Sequence, residues 1–80
     1  MKLTYDRDHN IAYLRLRPRG SEVETIRVSD ELNVDLAPDG SVYGIELLNA
    51  NEQLQGSDDG KLVLVDEADG REVEVALPGR

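Results

Sequence analysis

The sequence predicts an α+β domain that is mostly antiparallel β: a meander of β-hairpins with one short helix and a C-terminal hairpin. Polar and apolar residues alternate along most of the 80-residue chain, which is the period of a half-buried strand. Two Asp-Gly pairs, Asp39-Gly40 and Asp69-Gly70, each separate two alternating runs. Turn-forming residues recur about every eight to twelve positions, so we expect roughly five to seven strands.

The first two strands are predicted at 2–6 and 11–17, on either side of a polar turn. Leu3 and Tyr5 lie on one face of the first strand because side chains alternate along a strand. Pro18 ends the second strand because proline lacks the amide donor of a β-ladder.

A third strand is predicted over 23–28, and two registers against the second strand stay open. One register pairs Arg15 with Glu24, so that opposite charges face each other. The other register places Arg15 near Arg27. The two registers predict different surroundings for the same arginine.

The Asp39-Gly40 pair predicts a hairpin with apolar residues facing each other. A two-residue turn gives three pairs: Leu36 with Tyr43, Val34 with Ile45, and Leu32 with Leu47. Pro38 also suits a type I turn followed by a β-bulge, which would change the pairing next to the turn.

The Asp69-Gly70 pair predicts the C-terminal hairpin by the same rule. The expected pairs are Leu64 with Val75, Leu62 with Leu77, and Glu67 with Glu72. The last pair sets two like charges opposite each other, which is mildly unfavourable.

One or two helical turns are predicted within 47–56, because asparagine is a favourable N-cap and Gly56 suits the position after a helix. The length allows one domain over 1–80. We divide it into three parts: a core over 1–56, a polar linker over 57–60 and a β-hairpin over 61–80.

The composition argues against several function classes. The chain has 17 acidic and 9 basic residues, a formal net charge of −8 at pH 7. This charge repels the nucleic-acid backbone and anionic membrane surfaces, so we expect neither as a partner. Cysteine is absent, and no signal peptide is apparent, so we expect a cytoplasmic protein without disulfides.

Several short motifs follow one another in a characteristic order. They are Met1–Asp6, Ala12–Leu16, Val28–Asp30, Val34-Asp35 and Asp39–Ala50, the last of which contains Gly44-Ile45-Glu46-Leu47-Leu48-Asn49-Ala50. Together, over about residues 1–54, they resemble the small bacterial YuzE-like family, a domain of unknown function. The resemblance implies a compact β-meander closed by a short helix. It implies no established activity and no catalytic residues, and it suggests an antitoxin-type role beside a small partner protein.

We predict no catalytic, metal-binding or cofactor-binding residues. The segment Asp6-Arg7-Asp8-His9-Asn10 begins like a calcium loop, but Ile11 stands where the glycine is needed and Arg17 where the bidentate glutamate is needed. His9 is the sole histidine, and no serine lies in a nucleophile motif. We therefore expect a polar turn held by Asx bonds, and a protein that is not an enzyme.

A cationic group is one candidate site: Tyr13, Arg15, Arg17 and Arg27. Arginine binds carboxylates and phosphates bidentately, and the first three residues share one face of the second strand. This face is a candidate anion patch. The structural alternative is that these arginines pair with glutamates of the third strand.

The C-terminal hairpin supplies the other candidate site. Suppose that one set of alternate residues faces the core: Leu62, Leu64, Val73, Val75 and Leu77. In that case three apolar residues point outward: Val63, Val65 and Ala76. An apolar strip on an edge strand favours contact with another chain. In the alternative, the short helix covers this strip.

These observations predict a non-enzymatic protein-interaction module without a cofactor, which is either a homodimer or an antitoxin-like binder of a basic partner protein. The alternative is a small anionic-ligand-binding or enzymatic domain that uses the face of Tyr13, Arg15 and Arg17.

Overall fold

A computed structural model describes residues 1–18, 22–56 and 58–78. These residues form seven strands, one α-helix and a short 3-10 helix: β1 (Lys2–Asp6), β2 (Ile11–Arg15), β3 (Glu24–Ser29), β4 (Leu32–Leu36), β5 (Val42–Leu48), α1 (Ala50–Gln55), the 3-10 turn Asp58–Gly60, β6 (Lys61–Asp66) and β7 (Arg71–Ala76). The predicted fold class is confirmed. Parts of the predicted turn, linker and last hairpin, at 19–21, 57 and 79–80, lie outside the described residues.

The first five strands form one antiparallel sheet in the order β1-β2-β5-β4-β3. Both registers predicted between β2 and β3 are wrong, because β5 and β4 separate these strands. Leu14 of β2 lies opposite Ile45 of β5, and Ala12 lies opposite Leu47. The apolar residues of β2 therefore find apolar partners on a strand far along the chain.

The β4–β5 hairpin follows the predicted alternative of a turn with a bulge. Two of its predicted pairs are confirmed: Val34 with Ile45, and Leu32 with Leu47. Leu36 pairs with Val42 instead of Tyr43 because the register shifts beside the turn. Gly40 adopts φ +88° there, and its N–H donates to Ala37 O at 2.9 Å.

The β6–β7 hairpin is shifted by two residues from the predicted register. Its apolar pairs are Leu64 with Val73, and Leu62 with Val75. The loop has four residues, 67–70, and the N–H of Gly70 donates to Asp66 O at 2.7 Å. This register replaces the predicted Glu67 and Glu72 pair by Asp66 opposite Arg71, which puts opposite charges next to the turn.

Helix α1 confirms the predicted helical turns, but its ends differ from the prediction. Asn49 precedes the helix with φ 53° and makes no side-chain cap, and Gly56 is right-handed at φ −73°. Asn10, from the turn before β2, takes the role of the cap. Its Oδ1 accepts the N–H of Asn51 at 2.6 Å, and its carbonyl accepts the N–H of Ala50 at 3.1 Å. Among the described residues, no helix has the length and apolarity needed to cross a membrane.

The β6–β7 hairpin is a separate two-stranded sheet that adjoins the 3-10 turn. The N–H of Leu77 donates to Gly60 O at 3.0 Å, and Gln55 Nε2 donates to Pro78 O at 2.8 Å. These bonds hold the base of the hairpin beside the end of α1.

Candidate functional site

One face of the five-stranded sheet carries a row of apolar side chains that runs from edge to edge. The registers align one residue from each strand in a row across this face: Leu3, Leu14, Ile45, Val34 and Ile26. We call this side of the sheet the apolar face. Helix α1 lies against β2 and reaches one end of the face, where Tyr5 Oη donates to Asn51 Oδ1 at 2.7 Å.

The apolar face lacks a complete cover in the described part of the chain. Only the small residues Ala12 and Ala50 are buried apolar residues there, at 1% and 0% exposure, and no large side chain is fully buried. At the two edges of the row, Leu3 is 37% exposed and Ile26 is 42% exposed. A sheet face of this kind is ordinarily packed against a second layer about 10 Å away.

The total surface of the chain is large for its size. The accessible area is 6100 Å² for a mass of 8.9 kDa. A folded monomer of this mass exposes about 4,800 Å² by the usual scaling of surface with mass. The excess of about 1,300 Å² is larger than the area of about 800 Å² that each partner buries in a standard protein interface.

The β6–β7 hairpin carries a second exposed apolar surface. Four side chains share one of its faces and are each about half exposed or more: Leu62 at 49%, Leu64 at 65%, Val73 at 58% and Val75 at 50%. We call this surface the hairpin face. In the described residues, the main neighbour of the hairpin is the 3-10 turn, to which Leu77 is bonded, so these four side chains stay exposed.

The strip predicted from the sequence lies on the opposite side of the hairpin. Val65 is 46% exposed and Ala76 is exposed, whereas Val63 is half-buried. Across the hairpin, Val63 and Val65 face Glu74 and Glu72. This side is therefore more polar than the hairpin face, although the strip remains a candidate contact surface.

The other face of the five-stranded sheet is polar, and its side chains bind one another. The hydroxyl of Tyr13 donates to Asp35 Oδ2 at 2.7 Å, and that of Thr25 donates to Asp35 Oδ1 at 2.6 Å. Asn33 Nδ2 donates to Glu46 Oε1 at 2.9 Å. We call this side the polar face. In the described residues, no buried side-chain polar atom lacks a hydrogen-bond partner.

Tyr13 crosses the polar face above a strand that has no side chain at the crossing point. A Cβ atom on Gly44 would lie 2.5 Å from Tyr13 Cζ, so only glycine leaves room for the ring. Burial raises the pKa of the Tyr13 hydroxyl, and the hydrogen bond to the Asp35 carboxylate raises it further. The hydroxyl therefore acts as a hydrogen-bond donor well above neutral pH.

The structure divides the predicted anion patch. Tyr13 and Arg15 lie on the polar face, where Arg15 faces Lys2 of β1. Arg27 lies three strands away from β2, at about 14 Å by the usual strand spacing, and its guanidinium pairs with Asp30. Arg17 lies beyond the end of β2.

Arg17 contributes to lowering the pKa of Asp39, after the larger effect of hydrogen bonds from Ser41. The strands of Arg15 and Arg27 are separated by β5 and β4, which carry the carboxylates of Glu46 and Asp35. The four predicted patch residues therefore do not converge on one anion.

A cluster of asparagines joins the β1–β2 turn to α1, and the sequence analysis missed it. Asn10 Nδ2 donates to Asn49 Oδ1 at 3.3 Å, and Asn51 Nδ2 donates to Arg7 O at 3.0 Å. Asn10 and Asn49 both have positive φ, at 61° and 53°. Asparagine tolerates this left-handed conformation best among residues with a side chain, and that preference was the available signal.

One cleft of about 710 Å³ lies beside this cluster, lined by Tyr5, Arg7, Asn51, Glu52 and Pro78, among others. None of the four residues of the predicted anion patch lines it. The Tyr5 hydroxyl donates a hydrogen bond to the side-chain oxygen of Asn51. These two side chains therefore offer few free hydrogen-bonding groups to a ligand in the cleft.

The calcium-like segment is the predicted polar turn, and the side chain of Asp6 holds it. Asp6 Oδ1 accepts the N–H of His9 at 3.1 Å, and Asp6 Oδ2 lies 2.7 Å from His9 Nδ1. The backbone hydrogen bond from His9 is the largest cause of the lowered pKa of Asp6. Within the described ranges, no group of three or more histidines and carboxylates is placed to hold a metal ion.

A family model matches residues 2–51, which is more than half of the chain. Its description is Protein of unknown function (DUF2283). The chain belongs to the DUF2283 family. A search of curated proteins finds no match, and neither does a search of solved structures.

The DUF2283 segment contains all five strands of the large sheet and the beginning of α1. Both sheet faces, and the contact of Asn10 with Asn51, therefore lie within the family segment. The β6–β7 hairpin lies beyond it. The apolar face is thus a feature of the DUF2283 segment, whereas the hairpin face lies outside the match.

Proposed function

We propose that this protein is a non-enzymatic interaction module that forms a homodimer through the apolar face of its five-stranded sheet. The observation that supports this proposal is the exposure of that face, which has no fully buried large side chain in the described residues. Burial of apolar area is worth about 25 cal/mol per Å². Covering the face with a second copy therefore stabilises the dimer relative to two separate copies.

The chemistry of the apolar face favours an apolar partner over a charged one. The row from Leu3 to Ile26 contains no ionisable side chain. The carboxylates at the centre of the sheet, Asp35 and Glu46, lie on the polar face and already accept hydrogen bonds from this chain. A second copy brings a matching apolar surface to the contact.

Antitoxin-like binding of a basic partner protein is the second candidate, and the net charge of −8 favours it. With this candidate we also propose that the protein is YuzE-like and that it is located in the cytoplasm. The small anionic ligand remains the alternative, and it would use the face of Tyr13, Arg15 and Arg17, since Arg27 lies three strands away.

Two neighbouring residues of β1 provide a matched test, because Leu3 lies on the apolar face and Thr4 on the polar face. Leu3→Asp and Thr4→Asp introduce the same charge on the same strand. We expect Leu3→Asp to raise the dimer Kd at least about tenfold, because an unpaired carboxylate is costly to bury. Thr4→Asp should leave the Kd within about threefold, since surface changes have small effects.

Sedimentation velocity over a concentration series measures both Kd values, and far-ultraviolet circular dichroism checks that both variants fold. If Leu3→Asp unfolds the chain, Ile26→Asp repeats the test at the opposite edge of the row. Equal Kd values for the Leu3 and Thr4 variants would contradict the proposal. A stable complex with a basic protein, formed in place of the homodimer, would favour the second candidate.

A further inference from the structure

We infer that the hairpin face of one copy covers the apolar face of the other copy, in a pair with two-fold symmetry. This inference rests on the proposed function, since it names the part of the second copy that forms the contact. Each chain would donate one hairpin and receive one.

The first support is that one chain carries two exposed apolar surfaces that do not pack on each other. The hairpin face exposes Leu64 at 65% and Val73 at 58%, and the apolar face exposes Ile26 at 42%. The main packing neighbour of the hairpin outside itself is the 3-10 turn. Both surfaces reach a buried state only in contact with something else.

The second support is the match in size. The strands β6 and β7 each have six residues, a length of about 20 Å, and the strands of the large sheet have five to seven residues. Two sheets pack face to face with a spacing of about 10 Å, and a pair of strands covers about 10 Å of sheet width. One hairpin therefore covers about two fifths of the five-stranded face, beside the end that α1 already reaches.

The third support is that the hairpin has one apolar and one charged side. Glu72 and Glu74 lie opposite the hairpin face, where Lys61 Nζ pairs with Glu74 at 3.4 Å. Docking through the hairpin face leaves these charges in solvent. The opposite orientation would bury two carboxylates against leucine and valine, which is unfavourable.

The fourth support is the position of the hairpin base. The bonds from Leu77 to Gly60 and from Gln55 to Pro78 hold this base beside the end of α1. Asp59 and Gly60 both have positive φ, at 53° and 72°, so this connection has a defined turn. A reciprocal exchange across a two-fold axis closes after two copies, because each copy donates one hairpin and receives one.

Adjacent residues of β6 give the first test, because Leu64 lies on the hairpin face and Val65 on the opposite side. We expect Leu64→Asp to raise the dimer Kd at least about tenfold and Val65→Asp to change it less than about threefold. The reverse result would overturn the inference and would return the contact to the strip of Val63, Val65 and Ala76. Equal effects of the two variants would also overturn it.

Mixed-chain NMR gives the second test and separates this inference from the proposed function. The chain has no cysteine, so Glu72→Cys places a single nitroxide on the charged side of the hairpin. This variant, without isotope label, is mixed with the unaltered isotope-labelled chain. We expect the amide signals of Leu14, Ile45 and Val34 in the labelled chain to broaden, and reduction of the nitroxide to restore them.

Each other outcome overturns a defined part of the account. A dimer that Leu3→Asp disrupts, but without broadening in the sheet, overturns the hairpin assignment and leaves the homodimer intact. A monomer at all concentrations overturns both. If the nitroxide broadens the sheet of its own chain under dilute, monomeric conditions, the hairpin folds back within one copy, which also overturns the exchange.

Discussion

The two faces of the five-stranded sheet share the same backbone but differ in what completes them. On the polar face, Asp35 accepts two hydroxyl groups and Glu46 accepts an amide, all from the same chain. On the apolar face, the large side chains of the row remain at least partly exposed. These hydrogen-bonding groups of the polar face are therefore satisfied within a single copy of the chain.

This difference follows from the physics of the two kinds of contact. Hydrogen bonds are short and directional, so neighbouring strands of one sheet can satisfy each other's side chains. Apolar side chains on one face of a sheet touch only their neighbours in that face, and burial requires a second layer. In the described residues, α1 supplies only the end of that layer near Ala12.

The largest expected effect comes from a charge at the centre of the apolar face. Ile45→Asp should raise the dimer Kd at least about 100-fold, because an uncompensated charge in a closed contact costs about 3–5 kcal/mol. Sedimentation equilibrium measures the change. Glu46→Gln, one residue away on the polar face, keeps an acceptor for Asn33 and should leave the Kd unchanged. A dimer of Ile45→Asp as tight as the unaltered one would remove the apolar face from the interface.

The next effect concerns the polar face and should alter folding without altering association. Gly44→Ala forces the Tyr13 ring to move, so we expect a loss of about 1–3 kcal/mol in the free energy of unfolding, as for other overpacked sites. Urea denaturation at fixed protein concentration measures it. The double variant Gly44→Ala/Tyr13→Ala should lose less than the sum of the single variants, and exact additivity would count against the contact.

A smaller effect is expected for Tyr13→Phe, which removes the hydrogen bond to Asp35 and should cost about 1 kcal/mol. The raised pKa adds a dependence on pH. Above about pH 10 the unfolded chain loses the Tyr13 proton while the folded chain keeps it, so the contribution of this group is complete below that pH and declines above it. The stability difference between the two proteins should therefore shrink as the pH rises past about 10, and a constant difference would contradict this assignment.

The smallest effect is expected for Arg27→Ala. The ion pair of Arg27 with Asp30 is exposed, with 70% and 91% of the two side chains accessible. We expect the free energy of unfolding to change by less than about 0.5 kcal/mol. The dimer Kd should stay the same in the same sedimentation assay. A tenfold change in Kd would show that the polar face takes part in the contact at β3 and would weaken the contrast between the two faces.

The strands could be predicted from the sequence because their signals are local. Alternation gives β1 its bounds, and the two Asp-Gly pairs mark both hairpins. The register beside a turn was harder to predict. Replacing a two-residue turn by a four-residue loop moves β7 by two residues, and every side chain stays on the same face. The apolar pattern alone does not distinguish these registers.

The neighbour of β2 could not be predicted, because the choice is made between strands far apart in the chain. Leu14 has equally apolar candidates in Ile26 and Ile45, and the structure selects Ile45. The contact of Asn10 with Asn51 depends on that choice, since it brings the two turns together. Side-chain alternation places Leu62 and Val63 on opposite sides of the hairpin, as the register does, but it does not predict that both sides stay largely exposed.

The most direct measurement is the mass of the unaltered chain in solution by sedimentation equilibrium. If a second copy completes the sheet, the mass should approach twice 8.9 kDa as concentration rises. A value that stays at 8.9 kDa up to the highest soluble concentration would contradict this account of the molecule.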